Sequence, residues 1–155
     1  MRARDLAEDY PLVRLSDAAL TAARLIADQH RPAVVVVDEQ DRPVTVLPAS
    51  QVLRFSVPGY VLDDPSLSRV YDERGGADVC VAKLTQRTVK DVLPPKEKRY
   101  ELPVVSGEAT VLECAATMAR LRTPLVVVVD DGTIRGVVTA SHLLAVILEA
   151  AEPPA

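Results

Sequence analysis

The sequence predicts an α/β (α+β) fold built from one β-α-β-β-α unit written twice, with a helical linker between the copies. Three observations carry that expectation. Two valine runs, PAVVVVD at 32–38 and PLVVVVD at 124–130, stand 92 positions apart (124 − 32). The same offset carries Tyr10–Pro11–Leu12–Val13 onto Leu102–Pro103–Val104–Val105, and Ala19, Ala22, Ala23 and Ile26 onto Val111, Cys114, Ala115 and Met118. An apolar stripe of helical spacing and a strand therefore keep one register. Downstream the offset falls to 91, because the turn Glu39–Gln40–Asp41–Arg42 is one residue longer, and Val46–Leu53 lands on Val137–Leu144. Repeat one is placed at 1–57, the linker at 58–87, repeat two at 88–150, and a disordered tail at 151–155.

Each copy reads as strand, helix, strand, turn, strand, helix. The first helix is expected from Asp17 to Gln29 with Ser16 as N-cap, and its counterpart starts at Thr110, where Glu113 completes a capping box. The valine runs are short, continuous and bounded by Pro and Asp, as strands buried on both faces are. Asp131–Gly132 supplies a hairpin turn into the strand around Ile134–Val138. In the linker, Asp64–Pro65–Ser66 starts a helix with Leu67, Val70 and Tyr71 on one side. Gly75–Gly76 is read as its stop and Ala77–Leu84 as a second short helix. Lys96–Arg99 reads as a solvated loop. Arg4–Asp5–Leu6 precedes copy one as Lys90–Asp91–Val92 precedes copy two, the second approach being six residues longer.

Composition narrows the function. With 155 residues, 48% hydrophobic and 26% charged, the chain can bury a core without staples. Aromatic content is 3% with no Trp, so that core is aliphatic. A net charge of −4, with no basic stripe interleaved with aromatics, argues against nucleic acid as partner. Cys80 and Cys114 lack metal or redox spacing and read as free thiols in a reducing compartment. MRARDLAEDY carries charge without an apolar stretch, and no run approaches the length of a membrane span. No signal peptide, no membrane span and a cytoplasmic location are the expectations. His30 and His142 have no ligand-spaced partners, and no G-x-S-x-G, HExxH or P-loop pattern occurs, so no metal, no catalytic residue and no enzyme activity are expected.

The residues that remain are at the strand-to-helix junctions, VLPASQVL in copy one and VVTASHLL in copy two. A Thr at such a junction caps the helix, or it joins the free N–H groups of the first turn in holding an anion. The sequence leaves both readings open for Thr139.

This duplicated unit, with Asp130–Asp131–Gly132 followed by Gly136–Val137–Val138–Thr139 and with Met118 twelve residues before Asp130, resembles the tandem CBS domain pair, named after cystathionine β-synthase. The resemblance implies two repeats packed about a pseudo-twofold axis and a stand-alone bacterial regulator rather than a catalyst. It implies an adenosine-containing ligand (AMP, ADP, ATP or S-adenosylmethionine) held in a cleft between repeats, with no required cofactor. It also implies a homodimer that reports to a regulated protein such as a transporter or an enzyme. Carried onto this chain, the ligand-binding positions are Thr139, Ser141 and His142 with Thr123, Pro124 and Leu125 in copy two. In copy one they are Ser50 and Gln51 with Arg31, Pro32 and Ala33. The chain departs from the pattern twice: Pro48 replaces Thr, and Gln51 and His142 replace the Asp that in the family accepts the ribose hydroxyls. Copy two is thus the better supplied site. A pair that has lost its ligand and serves as a dimerisation or docking module is the alternative.

Overall fold

The computed structural model describes residues 1–99 and 101–151. Of the tail expected to be disordered at 151–155, residues 152–155 lie outside the described residues. Contacts divide the chain into two compact units that interleave along the sequence. One contains Leu12–Val36 and Val46–Arg99; the other contains Met1–Pro11, Val37–Thr45 and the described residues of Tyr100–Ala155.

In the first unit, strands β1 (Leu12–Arg14), β2 (Ala33–Val37) and β3 (Pro43–Pro48) form a sheet in the order β1-β2-β3, its outer hairpin counted with the other unit. Helices α2 (Ala19–Asp28) and α3 (Ala49–Ser56) follow the repeat pattern. Val34 and Val36 pack with Ala19, Ala22, Ile26, Leu47 and Val52 in one buried cluster. Both faces of β2 are buried, which is why its sequence is continuous valine rather than alternating. Each such side chain contributes about 1.5–3 kcal/mol relative to exposure.

In the second unit the sheet order is β4-β5-β6, from Val104–Val105, Leu125–Asp130 and Thr133–Thr139. β4 runs parallel to β5, pairing Val104 with Val127, and β5 runs antiparallel to β6, pairing Val127 with Val137. Asp131 (φ 51) and Gly132 (φ 74) turn the hairpin, the two left-handed residues that its shortest form needs. Helices α7 (Val111–Leu121) and α8 (Ala140–Ala150) complete the copy, and Cys114, Met118, Val126, Val128, Val138 and Leu143 share its core. Burial pushes the Cys114 thiol pKa up, with the Glu113 charge adding to it, so this cysteine is a packing residue.

The segment leading into each copy packs on the other copy's body. Two four-residue helices, α1 (Ala3–Leu6) and α6 (Val89–Val92), share one bond at their starts, Arg2 N–H to Asp5 Oδ2 at 2.8 Å and Thr88 N–H to Asp91 Oδ2 at 2.9 Å. In α6 Thr88 Oγ1 also accepts Asp91 N–H, completing a capping box. Ala3 N–H donates to Ala109 O at 2.8 Å, and Val89 N–H donates to Asp17 O at 2.8 Å. Arg4 N–H to Gly107 O (3.1 Å) is repeated by Lys90 N–H to Leu15 O (3.0 Å). Since 109 − 17 and 107 − 15 are both 92, the duplication is written into the hydrogen bonds. Met1–Pro11 therefore belongs with the unit built on copy two, and 88–99 with the unit built on copy one.

Three local expectations change. Helix α2 begins at Ala19 with Ala18, not Ser16, as N-cap. The reason is that Ala18 is held extended by its bridge to Thr88, and Ala19 N–H donates to Arg87 O at 2.8 Å. Thr110 does cap α7, accepting Glu113 N–H at 3.1 Å. Gly75–Gly76 does not stop a helix: both lie in the first turn of α5 (Glu73–Leu84), because Asp72 caps it by accepting Gly75 N–H at 2.6 Å. Before it come α4 (Gly59–Asp63) and a 3-10 turn over Pro65–Val70, which leaves Leu67 and Val70 exposed.

A Cβ at Gly76 would meet nothing within 4 Å. Gly76→Ala is expected to raise stability by about 0.5–1 kcal/mol, read by chemical denaturation, because Ala loses less backbone entropy in a helix.

Candidate functional site

The two strand-to-helix junctions keep one backbone architecture. The N–H of Ala140, first residue of α8, donates to Pro124 O at 2.8 Å, and that of Ala49, first residue of α3, donates to Pro32 O at 2.9 Å. Thr123, Pro124 and Leu125 are thus brought to Thr139, Ser141 and His142, and Arg31, Pro32 and Ala33 to Ser50 and Gln51. The start of the valine strand and the helix N-terminus meet in each copy, as the sequence expectation requires.

The first turn of α8 is already furnished with partners. Thr139 Oγ1 accepts His142 N–H at 3.3 Å and lies 3.4 Å from Ser141 Oγ. With Ala140 N–H given to Pro124, two of the first three donors are satisfied inside the copy. Thr139 is an N-cap. Thr139→Val is accordingly expected to cost about 1 kcal/mol of unliganded stability. A melting curve without ligand reads this loss, and an unaltered melting temperature contradicts the capping role.

His142 is half-buried, and its Nδ1 contacts the Glu8 carboxylate in the segment that leads into copy one. That segment also pairs with β6, through Glu8 N–H to Val137 O (3.0 Å) and Val137 N–H to Glu8 O (2.9 Å). Gln51 makes the corresponding move in the other unit, its Nε2 donating to Val92 O at 2.9 Å. Both residues at the family's Asp position therefore hold the segment that leads into the other copy. Neutral Gln suits a carbonyl acceptor and His suits a carboxylate, which accounts for the difference between the copies.

Leu125 and Ala33 are fully buried, so neither offers surface to a solute. Thr123 Oγ1 donates to Leu125 O at 3.0 Å, and Arg31 N–H donates to Ile26 O at 3.0 Å, closing the turns that enter the strands. Pro32 and Pro124 remain exposed beside them.

Gln51 opens onto a cavity of about 450 Å³, within the size range of small-molecule sites. Arg54 and Phe55 of α3, Lys83 of α5, Asp91 and Val92 of α6, and Leu93–Pro95 with Lys98 line it. The Thr88 N–H, first of all, holds the Asp91 carboxyl below the ordinary range. The sequence showed Gln51 but not this cationic surround, since Lys96–Arg99 read as a solvated loop. In the structure Lys96–Lys98 is a 3-10 turn, and Arg99 Nε donates to Pro94 O at 3.2 Å. Its only sequence signal is the pair of prolines, Pro94–Pro95, which fixes the approach to the turn. Among the described residues no cluster of metal-ligating side chains occurs, and no helix is long and apolar enough to cross a membrane.

Comparison with known proteins agrees with the duplication. The CBS domain family model matches residues 89–149, most of the second copy. No curated protein matches the chain. A CBS domain-containing protein of unknown function from Kribbella flavida is 50% identical, with 96% of this chain and 99% of that one covered and a TM-score of 0.85. The CBS domain of a membrane protein from Sphaerobacter thermophilus shares the fold at 24% identity, covering 96% and 88%, with a TM-score of 0.70. CBSX2, a protein of Arabidopsis thaliana whose structure is known in complex with AMP, shares it at 18% identity, covering 97% and 98%, with a TM-score of 0.67. Half its residues shared with one such protein over nearly its whole length, and its two copies built alike, this chain belongs to the CBS domain family as a tandem CBS pair.

Proposed function

We propose that this CBS pair is a non-enzymatic cytoplasmic regulator that binds an adenosine-containing ligand and reports its occupancy to a partner protein, a transporter or an enzyme. The observation that carries the reading is the cavity beside Gln51, where a residue at the family's ribose position lines a concavity of ligand size. The AMP complex of a protein with the same fold supports the ligand class. In this reading the apolar wall of Phe55, Leu93 and Pro94 faces the base, and Gln51 offers an amide to the ribose diol. Thr139, Ser141 and His142 form the second, more self-contained position. Of the four ligands the family implies, AMP, ADP and ATP suit a cation-lined cavity.

A thermal-shift series with AMP, ADP, ATP, S-adenosylmethionine and NAD tests the proposal. A ligand at a hundredfold over its Kd stabilises the folded state by about 2.7 kcal/mol. A rise of several degrees with at least one adenosine compound is the expected result. No shift with any of them at millimolar concentration contradicts it.

A second reading, a ligand-free module for dimerisation or docking, is favoured by a different observation. Helices α7 and α8 expose Leu112, Leu144 and Leu148, beside an apolar concavity of about 660 Å³ lined by Val111, Val146 and Ile147. Light scattering separates the readings: a homodimer that dissociates on Leu144→Glu, without any nucleotide response, supports the docking module.

A further inference from the structure

The cavity beside α3 carries more charge than an adenosine needs. Arg54, Lys83 and Lys98 rim it, against one carboxylate, Asp91, which leaves +2 (3 − 1) in a chain whose net charge is −4. The carboxylate is committed elsewhere: Asp91 Oδ2 accepts Thr88 N–H at 2.9 Å and closes the cap of α6. Two of the three cations are not. The side chains of Arg54 and Lys98 have no hydrogen-bond or ion-pair partner among the described residues. Lys83 Nζ stands 5.7 Å from the ring centroid of Phe55, the chain's one phenylalanine, so its ammonium is kept against the cavity wall.

Two unpaired cations and a third held over an aromatic ring, around a small apolar floor, match a ligand with an apolar end and a multiply charged anionic end. A guanidinium takes two phosphate oxygens in one plane, and a lysine ammonium adds a point charge beside them. We infer that the cavity selects, within the adenosine class, a nucleotide carrying a chain of phosphates, a nucleoside di- or triphosphate. An uncharged nucleoside or the cationic S-adenosylmethionine is disfavoured by the same rim. The inference rests on the proposed function for the base and sugar, and on Arg54, Lys83 and Lys98 for the phosphates. Because the rim is exposed, its contribution is screened by salt.

Titration calorimetry of the full chain with ATP, ADP, AMP, adenosine, S-adenosylmethionine and inorganic triphosphate tests it. Affinity is expected to rise about tenfold or more from AMP to ATP, a gain of about 1.4 kcal/mol, with adenosine and S-adenosylmethionine weakest. The double variant R54Q/K98Q should lose most of that gain and keep the wild-type melting temperature, since both side chains are exposed. Adenosine binding as tightly as ATP, or ATP binding unchanged in the double variant, overturns the inference and leaves the adenosine reading standing. Inorganic triphosphate binding alone, with adenosine and AMP unable to compete, supports the anion-selective rim and overturns the adenosine reading. Silence with every compound overturns both.

Discussion

Replacing Gly136 by Ala is expected to lower the melting temperature by roughly 5–15 °C, among the largest effects of a single methyl group in this chain. Gly136 has φ 150, a conformation that L side chains rarely adopt, and it stands opposite Val128 beside the irregular step between Val128 and Val129. A Cβ there would sit 2.8 Å from Glu8 O and 3.1 Å from Ala7 Cβ. The backbone strain costs on the order of 1–3 kcal/mol. Pushing Glu8 away also weakens its two hydrogen bonds with Val137, each about 1 kcal/mol net. A total of about 2–4 kcal/mol, at ~2–4 °C per kcal/mol for a domain of this size, gives the range. Calorimetric melting reads the shift, and amide exchange at Glu8 and Val137 should accelerate in the variant. A wild-type melting temperature contradicts the close pairing of the leading segment with β6.

Leu125→Ala is the second large effect, and it separates two roles for one residue. The family resemblance puts Leu125 in the wall of a base-binding slot, whereas the structure buries it completely at the start of β5. Truncating a fully buried leucine costs roughly 2–5 kcal/mol, because the removed atoms leave both lost burial and a cavity. Chemical denaturation should show that loss while the order of ligand preference stays as in the wild type. Unchanged stability with altered ligand preference contradicts the core assignment.

Much of the fold was legible because duplication repeats each signal. A single valine run between Pro and Asp is ambiguous between strand and buried helix; two in register with matching upstream stripes are not. The hairpin at Asp131–Gly132 and the cap at Thr110 were likewise local, and local chemistry is what a sequence displays. What stayed hidden was non-local. The match between Arg4–Asp5–Leu6 and Lys90–Asp91–Val92 was visible, but not that each segment docks on the other copy. Its hydrogen bonds join residues as far apart as Ala3 and Ala109. Helix α5 ran through Gly75–Gly76 because Asp72 capped it, a tertiary-independent signal overridden in the reading by the glycine pair.

The site followed the same division. Thr139 as cap or anion ligand was an open pair of readings, and the 3.3 Å contact to His142 N–H shows the cap. The partners of Gln51 and His142 were out of reach, since Val92 lies 41 positions from Gln51 and Glu8 sits in the opening segment. Once those contacts are known, the departures from Asp at both positions read as adaptations to holding the leading segments. They also direct attention from copy two, the better supplied on sequence, to the cavity beside Gln51.

Amide hydrogen exchange of the full chain, with and without saturating ATP, tests that account most directly. It predicts slower exchange in α3 and across 91–98, with a smaller effect in the first turn of α8. Protection confined to 139–142, or no protection anywhere in the chain, contradicts it.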